Sequence, residues 1–524
     1  MPRDRTTRRV ESNRNRRTTR VRARRGRSGG RGDHADSDRT RISVRFRSRL
    51  PTLSDYDRGA HEWTESYVHA SEGYEIGVSA CRGLEGLAPD DVEEIIEEYM
   101  REQHTPGANP GRPPAPELPP GSGPGHQVEV PDDVVAWHWR LEDADGAVLD
   151  RATRSATMGS TACGATLTAP ETGTYRIHLR LELETGEETA RKSVTIRDRL
   201  VVSVGDSYAS GQGVPDRAGQ PVFANEVRGC EMAADPVWLE PMAHRSLESA
   251  PFRAAAAVEN RTEGDLVTFV SVASSGAEIE RGLLDPQHDW QAGGQLEEVA
   301  RTVGHRPIDT LLVSIGGNDV GFSTGLKSLA ADPLDWFREA VESDTAAAIR
   351  ELRGAYDRLA GAIDDLDPES VLLTEYPTAH FDRGGGRVGD GCGVFEGISH
   401  NDAVAIKRLG QQLNDAVRDA AERHRWAYVG NVAHQFQGHG YCADQSYFVG
   451  FTESCDTQGD IQGTMHPNRE GLRVAGQCIA RELRRSALPP RPKVRDHRRG
   501  GTRRRRNRFR RGQVRRRRGR SSRK

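Results

Sequence analysis

Between about residue 199 and residue 488 short apolar runs alternate with long amphipathic stretches. This alternation constrains the fold more than any other feature of the chain. The apolar runs lie at 200–204, 266–272, 310–315 and 371–374, and the helical stretches include 246–260, 344–364, 402–424 and 470–485. Runs this short, rich in β-branched residues, read as strands buried on both faces. Strand and helix in alternation imply a parallel sheet flanked by helices, and about 290 residues can bury a substantial core. The first run, Leu200-Val-Val-Ser-Val-Gly-Asp-Ser207, goes straight into a turn with Ser207 at its tip. Parallel sheets gather ligands at the carboxyl ends of their strands, so Ser207 is a candidate nucleophile, although Gly, Asp and Ser are also ordinary turn residues.

Three later segments supply what acyl transfer needs. Phe269-Val-Ser-Val-Ala-Ser-Ser-Gly276 is a strand running into a glycine whose N–H is unhindered. Leu311 to Ser314 leads into Ile315-Gly-Gly-Asn-Asp-Val-Gly-Phe322, which puts the Asn318 amide at a strand's carboxyl end. Thr464-Met-His-Pro-Asn-Arg-Glu-Gly471 places His466 just before a helix, with Pro467 suited to its start. A serine, a backbone donor, an amide donor and a histidine are the parts of a nucleophile, an oxyanion hole and a general base.

These four ordered segments resemble the blocks of the SGNH, or GDSL-type, esterase and lipase family, most of all its secreted actinobacterial branch. Gly205-Asp206-Ser207 matches the first block, Gly276 the second, Gly317-x-Asp319 around Asn318 the third and His466-Pro467 the last. The resemblance covers 199–488. It implies a flavodoxin-like three-layer α/β/α sandwich with a parallel sheet, and hydrolysis of carboxylic esters through an acyl-serine without metal or organic cofactor. In that reading Ser207 is the nucleophile and His466 the base. The N–H groups of Ser207 and Gly276 and the Asn318 amide form the oxyanion hole. The substrate would be a small-molecule, lipid or glycan ester. The branch also carries disulfides where Cys392, Cys442 and Cys455 lie, so at least one bond among them is expected, most readily one involving Cys442.

One family feature is missing. The usual last block is Asp-x-x-His, but the position three residues before His466 is Gly463. Either a backbone carbonyl, that of Thr464 first, orients the imidazole of a Ser207–His466 dyad, or Asp460 substitutes from six residues upstream. A rival nucleophile, Ser323, sits in Gly321-Phe-Ser-Thr-Gly325, which matches the Gly-x-Ser-x-Gly elbow. That elbow puts its serine directly after a strand, whereas here the strand ends near Ile315. His434, His439 and Cys442 have a loosely zinc-like spacing, yet a closed site needs a fourth ligand.

The rest of the chain divides by composition. Residues 33–104 form a small segment that fits no class; within it Ile42–Phe46 alternates like an exposed strand and 89–100 reads as a helix. Residues 105–125, with eight prolines and five glycines, make a linker. From 126 to 198 the period drops to two with Asp-Gly and Thr-Gly turns, which suggests a small all-β sandwich. Ala169-Pro-Glu-Thr-Gly-Thr-Tyr-Arg-Ile-His-Leu-Arg-Leu181 resembles the late strands of immunoglobulin-like repeats. Trp137, Trp139 and Tyr175 would be core aromatics there, or else a sugar-binding platform. An inactive SGNH-like adhesive protein working through this module is the competing function.

Residues 1–32 and 489–524 are Arg-rich tails with almost no apolar content, expected to be disordered. They hold 32 of the 75 lysines and arginines but 3 of the 77 acids, so the middle carries 43 basic against 74 acidic residues. A part that acidic repels nucleic acid, while the tails could contact an acidic polymer. No stretch approaches the roughly 18 apolar residues of a membrane span. The family resemblance suggests an extracellular protein, yet no signal-peptide h-region is visible in the first 50 residues. Cys478 lies on an apolar helical stripe and reads as a buried thiol.

Overall fold

One strand belongs to both layers of the molecule and sets their relation. The computed structural model describes residues 40–80, 133–157, 163–222, 230–322, 324–325 and 335–486. The helix expected at 89–100, the linker, both Arg-rich tails with their proposed polymer contact, and Ser323 lie outside the described residues.

The first layer is a β-sandwich built from β1 (Ser43–Phe46), β2 (Tyr74–Ser79), β3 (Val134–Glu142), β4 (Val148–Ser155), β5 (Gly164–Ala169), β6 (Gly173–Leu183) and the first half of β7 (Gly186–Gly205). Its sheets run β1-β2-β5 and β4-β3-β6-β7, all antiparallel. Alternate residues meet between them: Phe46, Ile76 and Leu167 from one sheet, Trp137, Trp139, Leu141, Ile177 and Leu179 from the other. Trp137, Trp139 and Tyr175 are buried at 1%, 2% and 4% exposure, so they are core and no sugar platform. The sandwich is not confined to 126–198. Two of its strands come from the segment that fitted no class, and Ile42–Phe46 is buried rather than exposed because β2 and the opposite sheet cover it.

The same early segment also shields the second layer. Trp63 Nε1 donates to the Ser271 carbonyl at 2.9 Å, and the Tyr67 hydroxyl bonds both the carbonyl and the N–H of Phe269 at 2.9 Å. These contacts cover the free edge of β8 (Asp265–Ser271), where an unpaired strand would otherwise invite association.

In the second layer β8, the end of β7, β9 (Thr310–Ser314), β10 (Val371–Thr374) and β11 (Ala427–Val429) pair in parallel in that spatial order. In chain order this is 2-1-3-4-5, a doubly wound arrangement with its switch point beside β7. The helices are α1 (Ser207–Ser210), α2 (Ala250–Val258), α3 (Gln295–Val303), α4 (Asp335–Leu366), α5 (His400–His424), α6 (Phe451–Gln458) and α7 (Arg469–Ser486). The period of two sorts the strands onto both faces. Leu200, Val202, Val204, Leu311 and Val313 pack with Val299, Tyr356, Leu359 and Val417 of α3, α4 and α5. Val201, Leu312 and Phe269 pack with Ala254, Ile479 and Leu483 of α2 and α7. Cys478 is a buried free thiol on α7.

The boundary expected between residues 198 and 199 falls inside β7. Up to Ile196 that strand pairs with β6; from Arg197 onward it pairs with β8 and then β9. At the crossing the buried Asp198 carboxylate accepts from Tyr74 Oη of the sandwich and from Thr268 N and Oγ1, with Arg306 at 3.2 Å.

Candidate active site

The turn that carries Ser207 is forced by close approach of two backbones. At Gly205 φ is +141°, and a Cβ there would lie 2.1 Å from the Ser314 carbonyl oxygen. Only glycine fits, so β7 ends in a sharp turn. Asp206 then caps α1, its Oδ1 accepting from the Tyr208 N–H at 3.0 Å, while its own N–H donates to Ser314 O at 3.0 Å. Ser207 follows, 7% exposed.

The second and third segments lock onto each other beside it. After β8 the Ser274 N–H donates to Gly205 O at 3.0 Å, and Gly276 takes φ +79°. Asn318 Nδ2 donates to Ala277 O at 2.9 Å, and Asp319 accepts from the Ile279 N–H at 3.0 Å. Asp206 and Asp319 therefore brace turns. No acceptor among the described residues takes the Ser207 or Gly276 N–H.

His466 arrives from the fourth segment at the end of a turn, pinned by its backbone. Its carbonyl accepts from Val449 N at 2.8 Å and its N–H donates to Gly463 O at 3.0 Å. Asn468 Oδ1 accepts from the N–H groups of Glu470 and Gly471 at the start of α7. His466 Nε2 and Ser207 Oγ are 2.8 Å apart, across 259 residues of chain.

The acid expected of the family has no room at position 463. A Cβ there would meet Gln458 Oε1 at 2.7 Å, Ser454 Oγ at 2.8 Å and Gly213 Cα at 2.9 Å. Asp460 is engaged elsewhere. Its Oδ1 accepts from Gln458 Nε2 at 2.6 Å and from Gln462 N at 2.7 Å, and its Oδ2 lies 3.5 Å from His244 Nε2. Burial raises the Asp460 pKa, but the bonds from His244, Gln462 and Gln458 outweigh it and leave the carboxyl below its usual range.

Burial also shifts titratable groups here, among them Tyr376 and His380, which were not singled out in the sequence. Burial raises Asp206 to about 7 against the lowering by Tyr376 and Tyr208 donors, and raises Asp319 to about 6. His380, packed between Phe322 and Phe448, is pushed down to about 4 by burial and then by the charge of His466. Tyr376 and His380 both follow β10 at its carboxyl end, the signal by which they could have been found.

Of the cysteines, Cys392 pairs with Cys442 and Cys455 with Cys230. Cys442 is thereby unavailable to the zinc-like spacing with His434 and His439, and no metal-holding cluster of three or more His, Cys, Asp or Glu occurs among the described residues. No helix among them is long and apolar enough to cross a membrane.

A parallel-rich α/β sheet thus holds a serine–histidine pair at its carboxyl edge. Residues 203–474 match the GDSL-like Lipase/Acylhydrolase family, and the chain belongs to that family of ester hydrolases, also called SGNH. Among solved structures it is similar to an extracellular lipase from Streptomyces rimosus, at 23% identity over 54% of this chain and 98% of that one, with a TM-score of 0.38. It is also similar to phospholipase A1 from Streptomyces albidoflavus NA297, at 20% identity over 54% and 98%, with a TM-score of 0.34. A family two carbohydrate esterase from Clostridium thermocellum matches at 12% identity over 67% and 85%, with a TM-score of 0.27. No curated protein matches the chain.

Proposed function

We propose that the chain is a serine esterase or lipase acting through an acyl-serine. Ser207 Oγ attacks the ester carbonyl while His466 Nε2 takes its proton. The oxyanion is received by the N–H groups of Ser207 and Gly276 and the second N–H of Asn318 Nδ2. Collapse expels the alcohol, which takes the proton back from His466. Water, deprotonated in turn by His466, then attacks the acyl-serine and releases the acid and free Ser207. The observation that carries this reading is the 2.8 Å Nε2–Oγ contact, next to two N–H groups with no acceptor among the described residues.

A Thr464 carbonyl accepting from Nδ1 is the orienting group in this reading. The committed oxygens of Asp460 and the filled space at Gly463 both favour it over a carboxylate. A carbonyl fixes the tautomer but brings no full charge to the imidazolium. Small-molecule, lipid and glycan esters are the substrate classes that this reading admits.

The test is Ser207→Ala on a short p-nitrophenyl ester, with an organophosphonate as probe of the serine. Loss of turnover by about 10³-fold or more, with loss of phosphonate labelling, is expected. Full activity in the variant would refute it, and absence of hydrolysis in the native protein would favour the adhesive alternative.

We read the sandwich as an immunoglobulin-like module. Lettered A to G in chain order, its sheets are A-B-E and D-C-F-G. This differs from the constant-type immunoglobulin arrangement only in the sheet that D joins. The Tyr175 hydroxyl, near the start of strand F, donates to the Glu171 carbonyl at 2.6 Å, the geometry of a tyrosine corner.

A further inference from the structure

The turn that carries Asn318 is held from below by two tyrosines. Tyr356 Oη donates to the Ile315 carbonyl at 2.5 Å, and a Cβ on Gly316 (φ +120°) would come within 2.7 Å of that hydroxyl. Tyr376 reaches further. Its hydroxyl accepts from the Gly317 N–H at 3.1 Å and donates to Asp206 Oδ2 at 2.5 Å. The direction is not free: an amide can only donate, so the one phenolic hydrogen goes to the carboxylate. The tyrosine itself cannot drift. Asn414 of α5 takes its N–H at 2.9 Å and donates to its carbonyl at 2.8 Å, and the Tyr208 ring meets it edge-on at 5.2 Å. Gly317 rests on the phenol ring, with room for no more than 3.3 Å to a Cβ.

We propose that Tyr376 is a positioning residue of the active site: its hydroxyl, bridging Asp206 and Gly317, fixes the nucleophile turn against the turn that presents Asn318. This rests on the serine esterase reading above. Tyr376 touches no reacting atom. It sets where the Ser207 N–H and the Asn318 amide stand relative to each other, which an oxyanion hole requires before substrate arrives. Asp206 is the receiving end. One of its oxygens faces the Tyr208 N–H and the other the Tyr376 O–H, so a proton on either displaces a donor and loosens the bridge. The other titratable groups around this carboxylate are Asp319 on the Asn318 turn and Tyr356 on α4, with Tyr208 on α1.

The experiment is Tyr376→Phe in the full chain, which keeps the ring and removes the bridge. The expected result is a fall in kcat of about 10–100-fold with KM within about twofold, the scale set by misplacement of one group. Amide exchange at Gly317 should quicken. The acid limb of kcat/KM should move to higher pH, because Asp206 loses a donor that favours its charged form. In Asp206→Asn kcat should fall in the same way, and the limb should reduce to the single proton of His466. A Tyr376→Phe enzyme with kcat within twofold and an unmoved acid limb overturns the proposal, as does one in which only KM changes. If that variant does not fold, unchanged kcat in Asp206→Asn overturns it instead. These outcomes are read only while Ser207→Ala is inactive; activity in Ser207→Ala would overturn the esterase reading itself.

Discussion

Restoring the family's missing acid should damage this protein rather than improve it. In Gly463→Asp the new Cβ enters a space bounded by Gln458 Oε1, Ser454 Oγ and Gly213 Cα, all under 3.0 Å. The first two can retreat, but only by giving up bonds. Gln458 Oε1 accepts the Gly213 N–H at 3.0 Å, and Ser454 Oγ accepts the Gly463 N–H at 3.0 Å while donating to Asp460 O at 2.7 Å. Gly213 Cα is backbone and retreats only with its loop. Two buried groups left unpaired cost about 1–3 kcal/mol each, and overpacking adds about 1–3 kcal/mol, for a total of about 3–6 kcal/mol once shared relaxation is allowed. At about 2–4 °C per kcal/mol, Tm should drop by roughly 6–24 °C. Turnover should fall as well, since the His466 N–H hangs on the Gly463 carbonyl and a shift of 1 Å can cost about 10²-fold. Gly463→Ala, bearing the offending Cβ alone, should follow the same direction with a smaller drop. The assays are thermal unfolding and hydrolysis of a p-nitrophenyl ester. A rise in kcat, or a Tm within about 2 °C of the native protein, would refute the steric argument and reinstate an acid at this position.

Two further outcomes follow from the same neighbourhood. Asp460→Asn should change kcat by less than about threefold, because its oxygens serve Gln458, Gln462 and His244; a loss of about 10² or more, on the way to the roughly 10⁴ of a true triad acid, would make Asp460 the orienting group. Asp206 titrates at about 7 when folded against 3.8 for its ordinary value, so the folded state binds this proton more tightly than the unfolded chain. The stability it contributes is present below about pH 4 and is lost as pH rises through 7, by up to ~4 kcal/mol at 1.36 kcal/mol per unit. Urea midpoints between pH 4 and 8 should therefore fall with pH more steeply in the native protein than in Asp206→Asn; parallel curves would show the carboxyl to be ordinary.

Much of the catalytic layer is legible because its information is local. The periodic helices at 344–364, 402–424 and 470–485 lie within α4, α5 and α7, and the strand ends holding Ser207, Gly276 and Asn318 announce themselves by glycines. What is not legible depends on distant partners. Nothing in Ser43–Phe46 or Tyr74–Ser79 reveals that they complete a sandwich with Gly164–Ala169, since strand pairing across such separations leaves no short-range pattern. Cys230 finds Cys455 at a separation of 225 residues. The helix α6, Phe-Thr-Glu-Ser-Cys-Asp-Thr-Gln, has no apolar stripe to betray it, yet its Ser454 and Gln458 occupy the space beside His466. The absence of an acid at 463 could be seen in the sequence; the reason for it could not.

The shared strand β7 has a consequence for how the protein is made. The sandwich needs the first half of β7 to finish its second sheet, and once docked there the second half projects outward with bare edges on both sides. In the finished sheet β8 takes one of those edges and β9 the other, and both follow β7 in the chain. The amino-terminal layer thus hands the parallel sheet its first strand in chain order, the one on which both neighbours pair, with Asp198 clamping the joint through Tyr74, Thr268 and Arg306. Synthesis from the amino terminus favours that sequence of events. A chain begun at residue 199 would have to align the same strand without its guide.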